Sequence, residues 1–434
     1  MASWREIWRP GRTRDSLLAL MSAVVLGIWQ PAGLLVTLAL TGLSWLALRH
    51  GRRDALPRLP TALVVALLVA TLAWFKYVPG AWPGVVPLGL SFTVFRLIGV
   101  VLDVNALRIP LAPSRLFAMS LFLPTLPAGP ITTVRSFRDA EAGETARPIV
   151  SRAGWRIVQG LARKFLLADT LYSLVIAAWL ETGVARLEPY QCLVLPVLLG
   201  LYVYWDFAGY SDVAIGVSRL LGYQVPENFD RPYSSRSLTE FWRRWHISLS
   251  EWIRGRLMMK LAGRRPSQAR LHGATLASMA LCGIWHGAGV GFLVWGLWHG
   301  LGLVGVHLFQ DAERRSGTLQ AYSKRFLGDA VATSLTFGFV TIGWIFFFLA
   351  PADAWALMRG ALAWRGGSAA ALAVPAIVAS ALVLAYLGAE WARSVWLRVP
   401  PLVRVSAQTV LLGILTYALL LTRGGRQGFF YAQF

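Results

Sequence analysis

Two histidines stand in GIWHGAGVGFLVWGLWHG, residues 283–300, a run apolar enough to sit in a membrane. His286 and His299 are the only groups in it that titrate near neutral pH. An imidazole is the side chain best suited to take and return a proton at that pH. On one straight helix, a separation of 13 residues would turn the two rings about 220° apart, so only one could face a given cavity. A lone intramembrane histidine can equally be a core residue that hydrogen-bonds a neighbouring helix. Glycines at 283, 287, 289, 291, 296 and 300 let backbones approach closely and permit a break near Gly287–Gly291. A third histidine, His246, lies in WRRWHISLS. Asp206 and Asp212 lie in YWDFAGYSDVAIG, at the edge of another apolar run. Ionisable groups at membrane depth are site candidates by default. The bland reading of the aspartates is structural: carboxylates that pin arginines or backbone N–H groups.

The elements that must position these groups are membrane spans. The chain has 434 residues, 56% hydrophobic and 15% charged, against about 25% charged in an ordinary globular domain. Apolar runs recur at 16–30, 32–48, 61–77, 84–103, 149–180, 190–205, 274–309, 327–350, 369–388 and 405–421. A spanning helix needs about 20 such residues. The expected fold is therefore all-α and polytopic, with roughly ten or more transmembrane helices. It reads as a single membrane unit: an N-terminal hairpin over 1–60, a core over 61–310 and C-terminal helices over 311–434. The N-terminal stretch, which lacks a cleavage site, reads as a retained anchor. Five prolines between Pro110 and Pro130 predict broken or re-entrant structure there.

The net charge of +21 orients the chain in a bilayer and does not call for nucleic acid: its basic residues sit mostly in short loops. The stretch 222–273 carries ten Lys or Arg against four acids and reads as cytoplasmic. Within it, Phe241, Trp245, Leu249 and Trp252 are spaced as one face of an amphipathic helix. Cys192 and Cys282, both inside apolar runs, read as inert core residues. No phosphate-binding loop, nucleophile elbow, dinucleotide fingerprint or metal-ligand spacing occurs, so no metal or bound cofactor is expected. A histidine-centred membrane enzyme and a secondary transporter with a midplane site both remain open.

Five ordered segments carry a further resemblance: PLGLSFTVFRLIGVVLDV, FLPTLPAGPITTVRSF, GLARKFLLAD, the stretch from Tyr204 to Arg254, and GIWHGAGVGFLVWGLWHG, with FFYAQF at the C-terminal end. In these the chain resembles the membrane-bound O-acyltransferase family, bacterial branch. The resemblance implies helices around a central tunnel, with re-entrant and interfacial pieces. It implies an O-acyltransferase in which His286 is catalytic and His246 lines the site, while His299 stays structural. Trp245, Trp242, Asp206 and Asn228, all inside the fourth segment, are the substrate-binding candidates. The implied donor is acyl-CoA or an acyl-phosphopantetheinyl carrier protein. The acyl group is acetyl in first place and D-alanyl next. The implied acceptor is a cell-envelope polysaccharide, reached through an extracytoplasmic partner; a lipid or protein acceptor is the alternative. The expected location is the bacterial inner membrane. One departure stands out. After Trp252-Ile253-Arg254 the family usually has an acid, whereas Gly255-Arg256 follow here, which puts the donor partner in doubt.

Overall fold

The computed structural model describes residues 11–50, 58–78, 87–107, 110–139, 146–318 and 328–363. The apolar runs at 369–388 and 405–421 and the C-terminal FFYAQF lie outside them. The described chain is helical almost throughout. Its longer α-helices are α1 Arg12–Trp29, α2 Pro31–His50, α3 Arg58–Tyr77, α4 Leu90–Leu107, α5 Pro113–Ser120, α6 Ala146–Ala162, α7 Pro189–Leu220, α8 Leu238–Arg244, α9 Ile247–Ile253, α10 Gln268–His286, α11 Val290–Arg315, α12 Asp329–Phe348 and α13 Pro351–Leu362. Five stretches among the described residues are long and apolar enough to cross a bilayer: Pro31–Arg49, Ser151–Thr182, Pro189–Leu220, Val290–Arg315 and Asp329–Phe348. The protein is a multi-pass membrane protein.

The chain divides into two compact units. Among the described residues, the first takes in those up to Gly160 together with Tyr210–Asn228, and the second takes in Leu161–Gly209 and those from Phe229 on.

In the first unit, α1 and α2 follow one another directly and pack together. Gln30 alone separates them, and Pro31 opens α2, where its missing N–H would be unpaired in any residue. The proline-rich segment is broken as expected: α5 is followed by the short 3-10 turn Leu123–Thr125. Arg96, fully buried on α4, holds this irregular backbone. Its guanidinium donates to the carbonyls of Met119 (2.5 Å), Ser120 (3.3 Å) and Thr125 (3.2 Å) and to Thr125 Oγ1 (2.9 Å). Carbonyls freed by the prolines are thus satisfied inside protein. Near the start of α1, Arg14 and Arg115 pair with Asp139, Tyr223 donates to Asp15, and a two-residue ribbon, β1 Arg138–Asp139 with β2 Tyr223–Gln224, runs antiparallel.

In the second unit the organising feature is the antiparallel pair α10 and α11. A Cβ on Gly283 would lie 2.2 Å from the carbonyl oxygen of Phe292, and one on Gly296 would lie 2.3 Å from that of Met279. Backbone rests on backbone at this crossing, which only glycine allows. The helix break falls where the glycines predict it: α10 ends at His286, Gly287 is extended, and α11 begins at Val290.

The basic segment corrects an expectation. Phe241, Trp245, Leu249 and Trp252 do not lie on one helix. The helix stops at Arg244, Trp245 is extended (φ −102°, ψ 128°), His246 is left-handed (φ 42°), and α9 starts afresh. The turn lets Phe241, Trp245 and His246 all go inward, each 1% exposed or less, which one amphipathic face could not do.

Substituting Gly296→Val should drive a methyl group into the Met279 carbonyl and cost about 1–3 kcal/mol or more of stability. A clear fall in the thermal midpoint of the detergent-solubilised protein is expected. An unchanged midpoint would mean that the close crossing does not bear on stability.

Candidate active site

His286 is the last residue of α10 and is 2% exposed. Aromatic rings wall it in: Trp295 at 5.1 Å and 88°, Phe347 at 5.0 Å and 73°, and Trp285 at 4.6 Å. His246, in the connection between the spans of α7 and α11, is fully buried, with its ring edge-on to Phe207 at 4.7 Å. Burial pushes its imidazole down to about 3, so it is neutral at any cytoplasmic pH. Its left-handed backbone is an unusual conformation for a residue other than glycine, and such positions gather at functional sites.

Trp245 is 1% exposed and packs against Tyr204, Phe229, Phe241 and Trp344. Trp242 differs. It lines a cavity of about 340 Å³ enclosed by α8, α9, α10 and α11, together with Thr239, Arg243, Ser250, Glu251, Arg254, Met258, Thr275, Ser278, Met279, Leu303 and His307. Neither His286 nor His246 is among the residues that line it. The Trp242 ring meets Trp295 at 5.9 Å, and Trp295 meets His286. The inner end of the cavity is therefore two indole rings away from His286.

Two stripes run along this path. On α11, Trp295, His299, Leu303 and His307 recur every fourth residue. On α10, His272, Thr275, Met279, Cys282 and His286 recur every third or fourth. Polar atoms lie on both and beside them. Ser278 Oγ, Trp242 Nε1, Trp295 Nε1, both nitrogens of His299, His272 Nε2 and His307 Nδ1 are all buried without a hydrogen-bond partner among the described residues. His299, fully buried between Trp242 and Trp295, thus lacks the hydrogen bond to a neighbouring helix that a purely structural histidine is expected to make. Buried polar atoms without partners cost about 1–3 kcal/mol each. Their concentration along one path marks it as a place for polar guests.

The two acidic candidates hold the scaffold. Asp206, fully buried, accepts from Lys164 Nζ at 2.6 Å, and Lys164, 1% exposed, also pairs with Asp169 at 2.8 Å. Lys164 sits on a π-helical turn, Arg163–Ala168. Asp206 directly precedes Phe207, the ring against His246. Asp212 pairs with Arg156 at 2.9 Å. Asn228 belongs to the first unit, where its Nδ2 donates to Ser211 Oγ at 3.1 Å. The structure therefore gathers His286, His246, Trp245, Trp242 and Asp206 in the second unit and leaves Asn228 in the other. Cys192 and Cys282 are buried and free, and no cluster among the described residues could hold a metal ion.

Residue types alone passed over Thr239, Ser278, His272 and His307. The four-residue spacing from Trp295 to His307 was the available signal.

Breaking the buried pair with Asp206→Ala should leave Lys164 short of a counter-charge and cost about 3–5 kcal/mol. Lys164→Met with Asp206→Leu should recover part of that loss. Chemical denaturation followed by tryptophan fluorescence reads both. Equal stability of the single variant and the parent would contradict this role.

Residues 111–350 match the family model described as MBOAT, membrane-bound O-acyltransferase family. The chain is 34% identical over 269 residues to the probable alginate O-acetylase AlgI of Pseudomonas syringae, covering 60% of this chain and 48% of that protein. To the protein of the same description from Pseudomonas aeruginosa it is 32% identical over 368 residues, covering 77% and 67%. To the teichoic acid D-alanyltransferase of Streptococcus thermophilus it is 30% identical over 236 residues, covering 50% and 56%. The chain thus spans about half to two thirds of the length of these relatives.

Proposed function

The chain belongs to the membrane-bound O-acyltransferase family, and on that premise we propose that it moves an acyl group from a cytoplasmic thioester to a hydroxyl on a cell-envelope polysaccharide. The observation that carries the reading is the set of buried polar atoms without partners around the cavity at Trp242, which the Trp242 and Trp295 rings separate from the imidazole of His286. The acyl group is acetyl in first place, in keeping with the relatives named alginate O-acetylase. D-alanyl is the rival, in keeping with the relative named teichoic acid D-alanyltransferase.

The donor is a thioester on coenzyme A or on a phosphopantetheinyl carrier protein, and its arm lies in the cavity. Arg243 and Arg254, on the cavity wall, favour its phosphate by charge. A nitrogen of His286 takes the proton of the acceptor hydroxyl as that oxygen attacks the thioester carbonyl. The new C–O bond forms, the C–S bond breaks, and the departing thiolate recovers the proton from the imidazolium. His246, held neutral by burial, orients the thioester carbonyl. Asp206 and Lys164 act through Phe207 by fixing the wall against which His246 packs. The acceptor arrives from the other side of the membrane through an extracytoplasmic partner, and the protein resides in the bacterial inner membrane.

His286→Ala should insert and fold normally and should lose acyl transfer by about 10²–10⁴-fold, the usual worth of a general base. Transfer of labelled acetyl from the thioester donor to polysaccharide, measured on purified protein in vesicles with its partner supplied, tests this. Transfer at the parent rate would refute it.

A further inference from the structure

The spans α11 and α12 touch closely at one end and part at the other. A Cβ on Gly291 would lie 2.4 Å from the carbonyl oxygen of Phe346. Further along, Trp298 stacks on Phe339 at 4.5 Å and donates from Nε1 to the Phe339 carbonyl at 3.0 Å. At Gly302 a Cβ would still meet the Phe339 ring at 2.5 Å, whereas at Gly305 it would meet nothing within 4 Å. The helices therefore diverge beyond Gly302. The wedge between them is a further cavity, of about 620 Å³, and its described lining includes none of the candidate active-site residues.

The lining is graded. Around Gly302, Val306, Leu335 and Phe339 it is an apolar trough, and the Thr336 hydroxyl is occupied with the carbonyl of Ala332 at 2.9 Å. Leu335 is 62% exposed and Phe309 39%, an arrangement that water disfavours and hydrocarbon does not. Polar groups gather at the other end: Gln310 and Glu313 on α11, and Arg236 just ahead of α8. Arg236 pairs with Asp329, the first residue of α12, at 2.9 Å. That contact anchors the guanidinium beside the groove, and its fork has donors beyond the one so engaged. From Gly302 to Glu313 the trough follows α11 for about 16 Å, close to half of the roughly 30 Å hydrocarbon core of a bilayer. Its charged end carries Arg236, from the basic stretch that charge bias places in the cytoplasm.

We propose that this groove binds one phospholipid of the cytoplasmic leaflet with a primary-ammonium headgroup, of the phosphatidylethanolamine class. An acyl chain fills the wedge, the phosphate accepts from Arg236, and the ammonium donates to Glu313 and Gln310. A cation and an anion on one rim suit a zwitterion; an anionic headgroup without the ammonium would meet Glu313 as a like charge. Bound there, the lipid braces the diverging half of the α11–α12 pair, whose converging half brings Trp295 against Phe347 at 5.3 Å. The proposal does not depend on the acyl-transfer reading.

Native mass spectrometry of the full-length protein tests it, after equilibration in detergent with equal amounts of dioleoyl phosphatidylethanolamine, phosphatidylglycerol and phosphatidylcholine. One phosphatidylethanolamine should stay bound, retained about threefold to about tenfold better than either other lipid, the worth of a partly exposed charge-assisted hydrogen bond. Gly305→Phe places a ring in the open space of the trough. It should lower that retention by about tenfold, which the loss of two buried methylenes would suffice to cause, while the protein elutes as the parent does in size-exclusion chromatography. Glu313→Gln should retain phosphatidylethanolamine and phosphatidylglycerol about alike. Equal retention of the three lipids by the parent, or undiminished phosphatidylethanolamine in Gly305→Phe, would overturn the proposal. So would a lipid-free dimer that Gly305→Phe disrupts, since a second copy would then fill the groove.

Discussion

Backbone meets backbone where α10 crosses α11, at Gly283, Gly296 and Met279, and the placement of His286, Trp295 and His299 on these two helices follows from that contact. With no side chain between them at the crossing, the two helices set their next side chains into a shared layer. The stripe from His272 to His286 and the stripe from His307 to Trp295 then run antiparallel along one another. The break after His286, forced by Gly287 and the residues beyond it, leaves that imidazole at the end of a helix, where Phe347 from α12 and Trp295 from α11 close around it. A larger residue at the crossing would separate the stripes and shift the Trp295 ring that lies between the cavity and His286.

A second constraint is the cost of polar groups out of water. The second unit answers it in two ways. Lys164 and Asp206 neutralise one another and stay fixed. Ser278, Trp242, Trp295 and His299 keep polar atoms with no protein partner among the described residues. The first arrangement builds a scaffold; the second leaves hydrogen-bonding capacity for a guest. In the first unit, Arg96 shows the scaffold solution again, its charge spread over carbonyls that the proline-rich segment cannot pair internally.

Much of this was legible in residue types. Apolar runs located the spans because a bilayer demands length and little else. Prolines between 110 and 130 announced an irregular segment, and glycines after His286 announced the end of α10. The turn at His246 was hidden: histidine is no helix breaker, and the apolar spacing continues through it as though the helix did. The Lys164–Asp206 pair was hidden because 42 residues separate its members, although the structural reading of Asp206 anticipated some cationic partner. The cavity was hidden for a related reason. Its lining comes from α8, α9, the π-helical turn Arg254–Met258 that follows it, α10 and α11, and each contribution looks like ordinary helix surface or core. His272 and His307 passed unnoticed because nothing in their neighbours' types reports that two helices bring them face to face.

The central claim is that a thioester donor lies along the path with its reacting end at His286. A cryo-electron microscopy map of the protein bound to a thioether analogue of the acetylated phosphopantetheine arm tests it most directly. The account predicts density filling the cavity past Trp242, with the sulfur beside the imidazole of His286. Density for the analogue elsewhere on the protein, with the cavity and the surroundings of His286 unchanged, would contradict it.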